Sequence, residues 1–380
     1  MESLRVTLPQ ALAFRLARQH LIEPASGPLE AASSLLGAQA QVHSAGEMQL
    51  RARSAAWPDG GLEGALWRDR TLVKLWAQRS TLHLTRTDDL GLILALRRLT
   101  TAAYLNWYAS EGLSPEQVDI LVGAVAEALR EGPHSRMDLS RRLVPRLGEW
   151  ARPMLEHSWG GIIKLACALG HVCHGPMRSK GGGEGEDAGE RAALFVHLPG
   201  WTSVPAIPEA RPALAELLRR YLAVYGPAGP ADFRKFTNLQ AGPARQAFAD
   251  LAAGLVPVDL EGRKAFVLAR DEAALRMAEP PPGHLTVLPL FDPWLLAHAD
   301  TSQYLEPRHR PAVYRTAGWI SATVLRQGRV VATWSHRRKG QGWEVALTPL
   351  VRLAAGERKA ALERLRRLSG GLPVSLAKAA

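Results

Sequence analysis

Along the N-terminal part of the chain the hydrophobic period switches from helical to strand-like, and the switch marks out the first elements. Leu12, Phe14, Leu16 and Ala17 fall at helical spacing and predict an amphipathic helix over residues 9–20. A second helix is predicted over 28–36 and stopped by Gly37, since glycine accepts the left-handed backbone that closes a helix. The apolar run at 71–76 and the alternating stretch at 80–85 then read as strands. Helices followed by a short hairpin give the order of a winged helix.

That order recurs. Ser114 and Gln117 carry capping-box chemistry and open a helix predicted to reach about residue 130, with further helices expected at 137–144 and 154–169. Residues 171–176 and 192–198 read as two strands, and the Gly- and Glu-rich stretch 179–190 between them as a flexible wing tip. A third round starts near Arg211, with helices near 231–236 and 241–253, and strands at 256–260 and 264–269 joined by Glu261-Gly262. After the stiff Pro280-Pro-Pro-Gly283 linker, strands are expected at 286–290, 319–325, 329–335 and 343–348, with a tight turn at Gln327-Gly328 and a last helix over 352–368. The expected fold class is therefore α+β: winged-helix modules at 1–110, 111–205 and 206–280, and a β-rich α+β portion at 281–380.

Composition narrows the partner. The 380 residues carry a net charge of +11, which points to a polyanion, most simply nucleic acid. With 47% hydrophobic residues there is enough apolar side chain for real cores, which argues against global disorder. Arginines outnumber lysines 39 to 8, a bias that a GC-rich genome also produces, although such a bias does not by itself create an excess over Asp and Glu. Two cysteines, Cys167 and Cys173, exclude a disulfide framework. The start, Met1-Glu-Ser-Leu-Arg, has no basic segment leading into an apolar core, and no apolar run reaches the ~18 residues that span a bilayer. The expectation is a cytoplasmic, nucleoid-associated protein with no membrane partner.

Four groups of residues are candidates for chemistry. In Gly37-Ala-Gln-Ala-Gln41, residues two apart share a face only in extended chain, so Gln39 and Gln41 are expected side by side. An amide is a poor general base, but its carbonyl orients a water and its NH2 donates, which suits a leaving group already activated. Solvated or capping glutamines are the alternative reading. Arg79, Thr81 and His83 alternate opposite Leu82 and Leu84, giving either a DNA-facing surface or an ordinary half-buried strand. Arg178 and Lys180 flank the second wing, and Arg337, Arg338 and Lys339 tip a hairpin suited to phosphates or a groove, unless it is simply a solvated turn. Cys167, His171, Cys173 and His174 invite a metal reading, but one lies in a helical pattern and three on opposed strand faces, so no metal or other cofactor is expected. Asp292, between an apolar strand and a turn, is the carboxylate singled out, with an ordinary turn cap as the alternative.

Four stretches carry a family resemblance. Leu36-Gly-Ala-Gln-Ala-Gln41 with Arg51-Ala-Arg53, Trp76-Ala-Gln-Arg-Ser-Thr-Leu-His-Leu84, Tyr225-Gly-Pro-Ala-Gly-Pro-Ala-Asp-Phe233, and Leu288-Pro-Leu-Phe-Asp-Pro-Trp294 with Gly328-Arg-Val-Val-Ala-Thr-Trp334 stand in order along nearly the whole chain. In these the sequence resembles the winged-helix DNA glycosylases of the AlkZ and YcaQ type, which unhook interstrand crosslinks. The resemblance implies three tandem winged helices in a C-shaped molecule whose basic channel takes double-stranded DNA bearing alkylated or crosslinked bases. It implies hydrolysis of the N-glycosidic bond of N7-alkylated purines, without a metal, by water that Gln39 and Gln41 position. Arg51, Arg53, Arg79, Thr81 and His83 join the expected DNA-binding set, and Asp292 is expected to stabilise an oxocarbenium-like state. Two glutamines place the chain with the Gln-Gln branch rather than the Gln-Asp branch. A monomer is expected, as no dimerisation heptad is visible. A non-catalytic winged-helix DNA-binding protein or transcription regulator is the alternative, and the Gln pair is what such a protein has no need of.

Overall fold

In a computed structural model that describes residues 3–177 and 193–377, the chain is α+β and divides into two compact units, Met1–Pro58 with Leu214–Ala380, and Asp59–Ala213. The expected wing tip at 179–190, with Arg178 and Lys180, lies outside the described residues. The division cuts the expected module 1–110 at Pro58. The physical reason is a long-range pairing: strand Leu4–Val6 runs parallel to Leu255–Leu260, which tethers the N-terminus to the C-terminal half.

In the discontinuous unit, Thr7 and Gln10 form a reciprocal capping box that opens helix Leu8–Arg18, close to the predicted 9–20. Helices Ala210–Tyr225, Pro230–Thr237 and Ala241–Asp250 lead into the hairpin Leu255–Leu260 and Arg263–Leu268. Glu261 and Gly262 turn that hairpin with φ of 51° and 86°, both left-handed, as a type I′ two-residue turn requires. Leu4, Val6, Phe14, Val258, Leu260 and Val267 form the core beneath it.

A second sheet in the same unit has the order Leu285–Leu288, Ala322–Arg326, Arg329–Lys339, Gly342–Pro349 and Val374–Leu376. Gln327 and Gly328 (φ 48° and 84°) make the tight turn expected there. Strand Arg329–Lys339 runs on past the predicted 329–335, and the parallel strand Val374–Leu376 was not anticipated. Helix Ala355–Leu368 covers one face and buries Ala361, Leu365 and Leu368 against Val324, Ala332 and Trp334.

In the continuous unit the strands lie in the order Leu82–Arg86, Leu72–Trp76, Val172–Met177, Ala193–His197 and His134–Ser135, each pair antiparallel. The Ser114–Gln117 box caps helix Pro115–Arg130, as the pattern predicts. The single helix expected over 154–169 is instead two, Arg152–Glu156 and Gly161–Ala168. Gly160 and Gly161 take φ of 105° and 40° between them, and a Cβ on Gly161 would sit 2.1 Å from the Met154 carbonyl oxygen. The backbone doubles back there too closely for any side chain. Cys167 and Cys173 are buried in the core packed under this sheet, where burial pushes the Cys167 thiol up to about 11. Among the described residues, no helix is long and apolar enough to cross a membrane.

Candidate active site

The glutamine segment is built from a helix stop, a short extended stretch and a helix start. Helix Pro28–Ser34 closes with Leu36 N–H on the Ser33 carbonyl and Gly37 N–H on the Ala32 carbonyl, with φ of 59° and 106° at Leu36 and Gly37. Strand Ala38–Gln39 follows, and helix His43–Arg51 begins two residues after Gln41. The extended stretch that the spacing argument needs holds Gln39, while Gln41 already lies in the bend that follows. The two amides nonetheless differ: Gln39 is buried at 5% exposure, whereas Gln41 is exposed in the bend before the helix.

What fixes Gln39 is a residue that the sequence reading missed. Gln49, fully buried on helix His43–Arg51, donates from Nε2 to the Gln39 carbonyl at 2.8 Å. The same nitrogen reaches the Leu290 carbonyl at 3.1 Å and that of Phe291 at 3.4 Å. Phe291 adopts φ of 58°, a left-handed conformation uncommon for an aromatic residue, and this turn brings consecutive carbonyls within reach of one amide. One turn beyond Gln49, Arg53 donates through both terminal nitrogens to the two carboxylate oxygens of Asp292, at 2.8 Å each, and to the Gln49 carbonyl at 3.1 Å. Asp292 Oδ1 also accepts from Trp294 N–H at 3.0 Å, capping the turn Pro293–Leu295. Gln49 and Arg53 therefore tie the glutamine strand to the 290–292 loop. Their i,i+4 spacing, Gln49 in the helix and Arg53 just past its end, was the one available signal, and without the partner loop it has no meaning.

This geometry corrects two expectations. Arg53 and Asp292 both have 0% side-chain exposure and pair with each other through both terminal nitrogens and both carboxylate oxygens. As placed, neither the Arg53 guanidinium nor the Asp292 carboxylate is open to a phosphate or a reacting sugar. Arg51 stays partly exposed, paired with Glu47 at 2.8 Å and stacked 4.1 Å from the Trp57 ring.

Because the two Nε2 hydrogens of Gln49 are shared among three carbonyls, Gln49→Glu, which keeps the shape but replaces the donor by an acceptor, is expected to destabilise by about 1–3 kcal/mol. Urea unfolding measures this, and unchanged stability would remove Gln49 from the clamp.

In the continuous unit the expected surface strand is buried on both faces. His83 is 2% exposed and Leu84 0%, so His83 is not a direct DNA contact as placed. Its Nδ1 lies 2.8 Å from the Thr81 carbonyl, which only accepts, so Nδ1 carries the hydrogen and Nε2 offers a lone pair to Arg79, 3.5 Å away. Burial first, then the Arg79 and Arg97 charges, hold the imidazole down at about 3. Arg79 and Ser80 turn the hairpin with φ of 54° and 58°, while buried Arg97 grips Ser80 Oγ at 3.1 Å and Tyr104 at 2.6 Å. Arg79 and Thr81, both half-buried, stand at this braced tip, with Thr81 Oγ1 donating to the Gln78 carbonyl.

Arg337, Arg338 and Lys339 are exposed on the last residues of strand Arg329–Lys339, at the expected hairpin end. Arg337 and Lys339 converge on the Glu344 carboxylate across the strand pair, and their hydrogen bonds hold it below the usual carboxylate range. Alternation puts Arg338 on the other face.

A family model described as DNA glycosylase AlkZ-like matches residues 32–370. The chain is 35% identical over 340 residues to an interstrand DNA cross-link repair glycosylase of Streptomyces sahachiroi, covering 86% of each. The structure matches that of Streptomyces sahachiroi DNA glycosylase AlkZ with a TM-score of 0.82 and 31% identity, over 98% of this chain and 100% of the other. The class these matches define is that of DNA glycosylases, hydrolases of N-glycosyl bonds. Within that class, the chain belongs to the AlkZ-like DNA glycosylase family.

Proposed function

We propose that this chain hydrolyses the N-glycosidic bond of N7-alkylated purines in double-stranded DNA, interstrand crosslinks included, by water that Gln39 and Gln41 position. The observation that carries the reading is the clamp: a Gln-Ala-Gln segment inside the family span, with the Gln39 backbone fixed by Gln49 and by the Arg53–Asp292 pair behind it. Rigid placement of a poor base has value only where orientation, rather than basicity, limits the reaction. An N7-alkylated guanine is already cationic. Water oxygen bonds to C1′, the C1′–N9 electron pair leaves with the base, and the proton is lost to solvent. The crosslink-repair name of the 35% identical relative supports the lesion class.

The finer architecture belongs to the same proposal. The helix–helix–hairpin order of 210–268, together with that of 115–197, supports winged helices repeated along the chain. One chain carrying several such modules needs no second copy to cover its DNA, and we take it to act as a monomer. Of the cations, Arg51, Arg79, Thr81 beside it, and the Arg337–Lys339 hairpin are the proposed DNA contacts.

The test is free-base release from a duplex carrying one N7-methylguanine, and from one crosslinked by a nitrogen mustard. Wild-type protein is expected to release base from both. The double variant Gln39→Ala, Gln41→Ala is expected to bind the duplex but to lose about a hundredfold or more in rate. No release by wild type, or equal release by the variant, overturns the assignment.

A further inference from the structure

Outside the glutamine site, the continuous unit holds a cationic pocket that the proposed reaction does not use. It is an open depression of about 380 Å³ lined by Arg130, His197 and Trp201 together with Leu129, Gly132 and Val196. Arg130 is the exposed last residue of helix Pro115–Arg130. His197 ends strand Ala193–His197 and pairs in register with Val172, which sets His171 beside it; Leu198 N–H closes on the His171 carbonyl at 2.9 Å. Arg70 lies 4.0 Å from the Trp201 ring centroid and donates to the Trp201 carbonyl at 3.0 Å. Arg98 acts electrostatically on His171.

The carboxylates that sequence places nearest are committed elsewhere: Glu131 pairs with Arg142, and Glu127 with Arg146 at 3.8 Å. Among the described residues neither Arg130 nor Arg98 forms an ion pair. The helix C-terminus contributes about half a negative charge, which the full charge of the Arg130 guanidinium outweighs. Burial and then the neighbouring Arg130 charge hold both His171 and His197 toward their neutral forms.

We propose that the pocket formed by Arg130, His197 and Trp201 is a phosphate-binding site. A phosphodiester of the DNA backbone or a phosphate monoester on a small molecule supplies the same chemistry: oxygens for the Arg130 guanidinium and the His197 imidazole. The site stands apart from the glutamine reaction, and its test uses no lesion, so its failure is distinguishable from failure of the glycosylase reading.

The experiment follows the His171 and His197 ring signals by NMR in the full chain while inorganic phosphate is added. Saturable shifts and higher titration midpoints for both rings are expected, and Arg130→Gln, a surface change, is expected to weaken the response at least about tenfold. His197→Gln serves as the second variant. Undamaged duplex then separates the sources. If it displaces phosphate, and Arg130→Gln makes the log–log salt dependence of duplex affinity shallower by about 1, the ligand is the DNA backbone. If it does not, the ligand is a small phosphate monoester. Absence of saturable shifts in wild type, or equal shifts in Arg130→Gln, overturns the proposal.

Discussion

Asp292→Asn is expected to lower the stability of the discontinuous unit by about 3–5 kcal/mol, the cost of stranding a buried guanidinium. Both partners are completely buried and meet fork to fork at 2.8 Å, so no solvent can replace the lost carboxylate. A typical domain is stable by only about 5–15 kcal/mol, so the loss would be a large share of the total. Replacing both partners by apolar residues, Arg53→Met with Asp292→Leu, is expected to recover much of it, because the desolvation penalty disappears with the charges. Recovery should not extend to function: the apolar pair no longer donates to the Gln49 carbonyl or caps Trp294. Urea unfolding of the three proteins, with base release measured on the folded fraction, separates the roles. A carboxylate facing the reacting sugar would give normal stability and lost rate in Asp292→Asn. Stability within about 1 kcal/mol of wild type would therefore return Asp292 to the reaction and refute the clamp.

The same clamp explains what was legible in the sequence. Turns and caps are local chemistry, and they read correctly: the Ser114–Gln117 box, Glu261-Gly262 and Gln327-Gly328 each need only neighbouring residues. Helix His43–Arg51 did not, because its buried face includes Gln49, and Arg53 just beyond it is buried as well. A reading that equates buried with apolar sees only a polar stretch there. The partners that make those residues burial-compatible lie at 290–292, some 240 positions away. Helix Leu90–Arg98 is unread for the opposite reason: nearly every residue is buried, Arg97 included, and a short apolar run of that kind does not separate a helix from a buried strand. The pairing of Leu4–Val6 with Leu255–Leu260 likewise leaves no mark in either segment. Gln39 and Gln41 were found through spacing and resemblance, whereas the residues that hold Gln39 depend on tertiary contacts alone.

Stability should also fall steeply as pH drops from 6.5 toward 4.5, and His83 should account for a measurable part of the slope. An unfolded histidine protonates near 6.5, whereas in the fold burial, Arg79 and Arg97 hold His83 at about 3. Between those values the unfolded chain binds a proton that the folded chain refuses. Stability therefore rises with pH across that window and is lost as pH falls, at up to about 1.4 kcal/mol per pH unit for one such group. His298, fully buried with Nε2 2.9 Å from the Tyr225 carbonyl, is shifted the same way and adds to the effect. The lowered carboxylates Glu30, Glu344 and Glu357 act with the same sign, but only once pH falls through their own range below about 4.5. The interval from 6.5 to 4.5 thus belongs mainly to histidine. Asparagine places an amide nitrogen where His83 has Nδ1, so His83→Asn keeps a donor for the Thr81 carbonyl and removes the titration. Urea unfolding at pH 7, 6 and 5 should show a shallower pH slope for His83→Asn than for wild type. Equal slopes would mean that His83 takes up its proton within the fold, which would set a second positive charge against Arg79 and remove the basis for treating that imidazole as the arginine's neutral support.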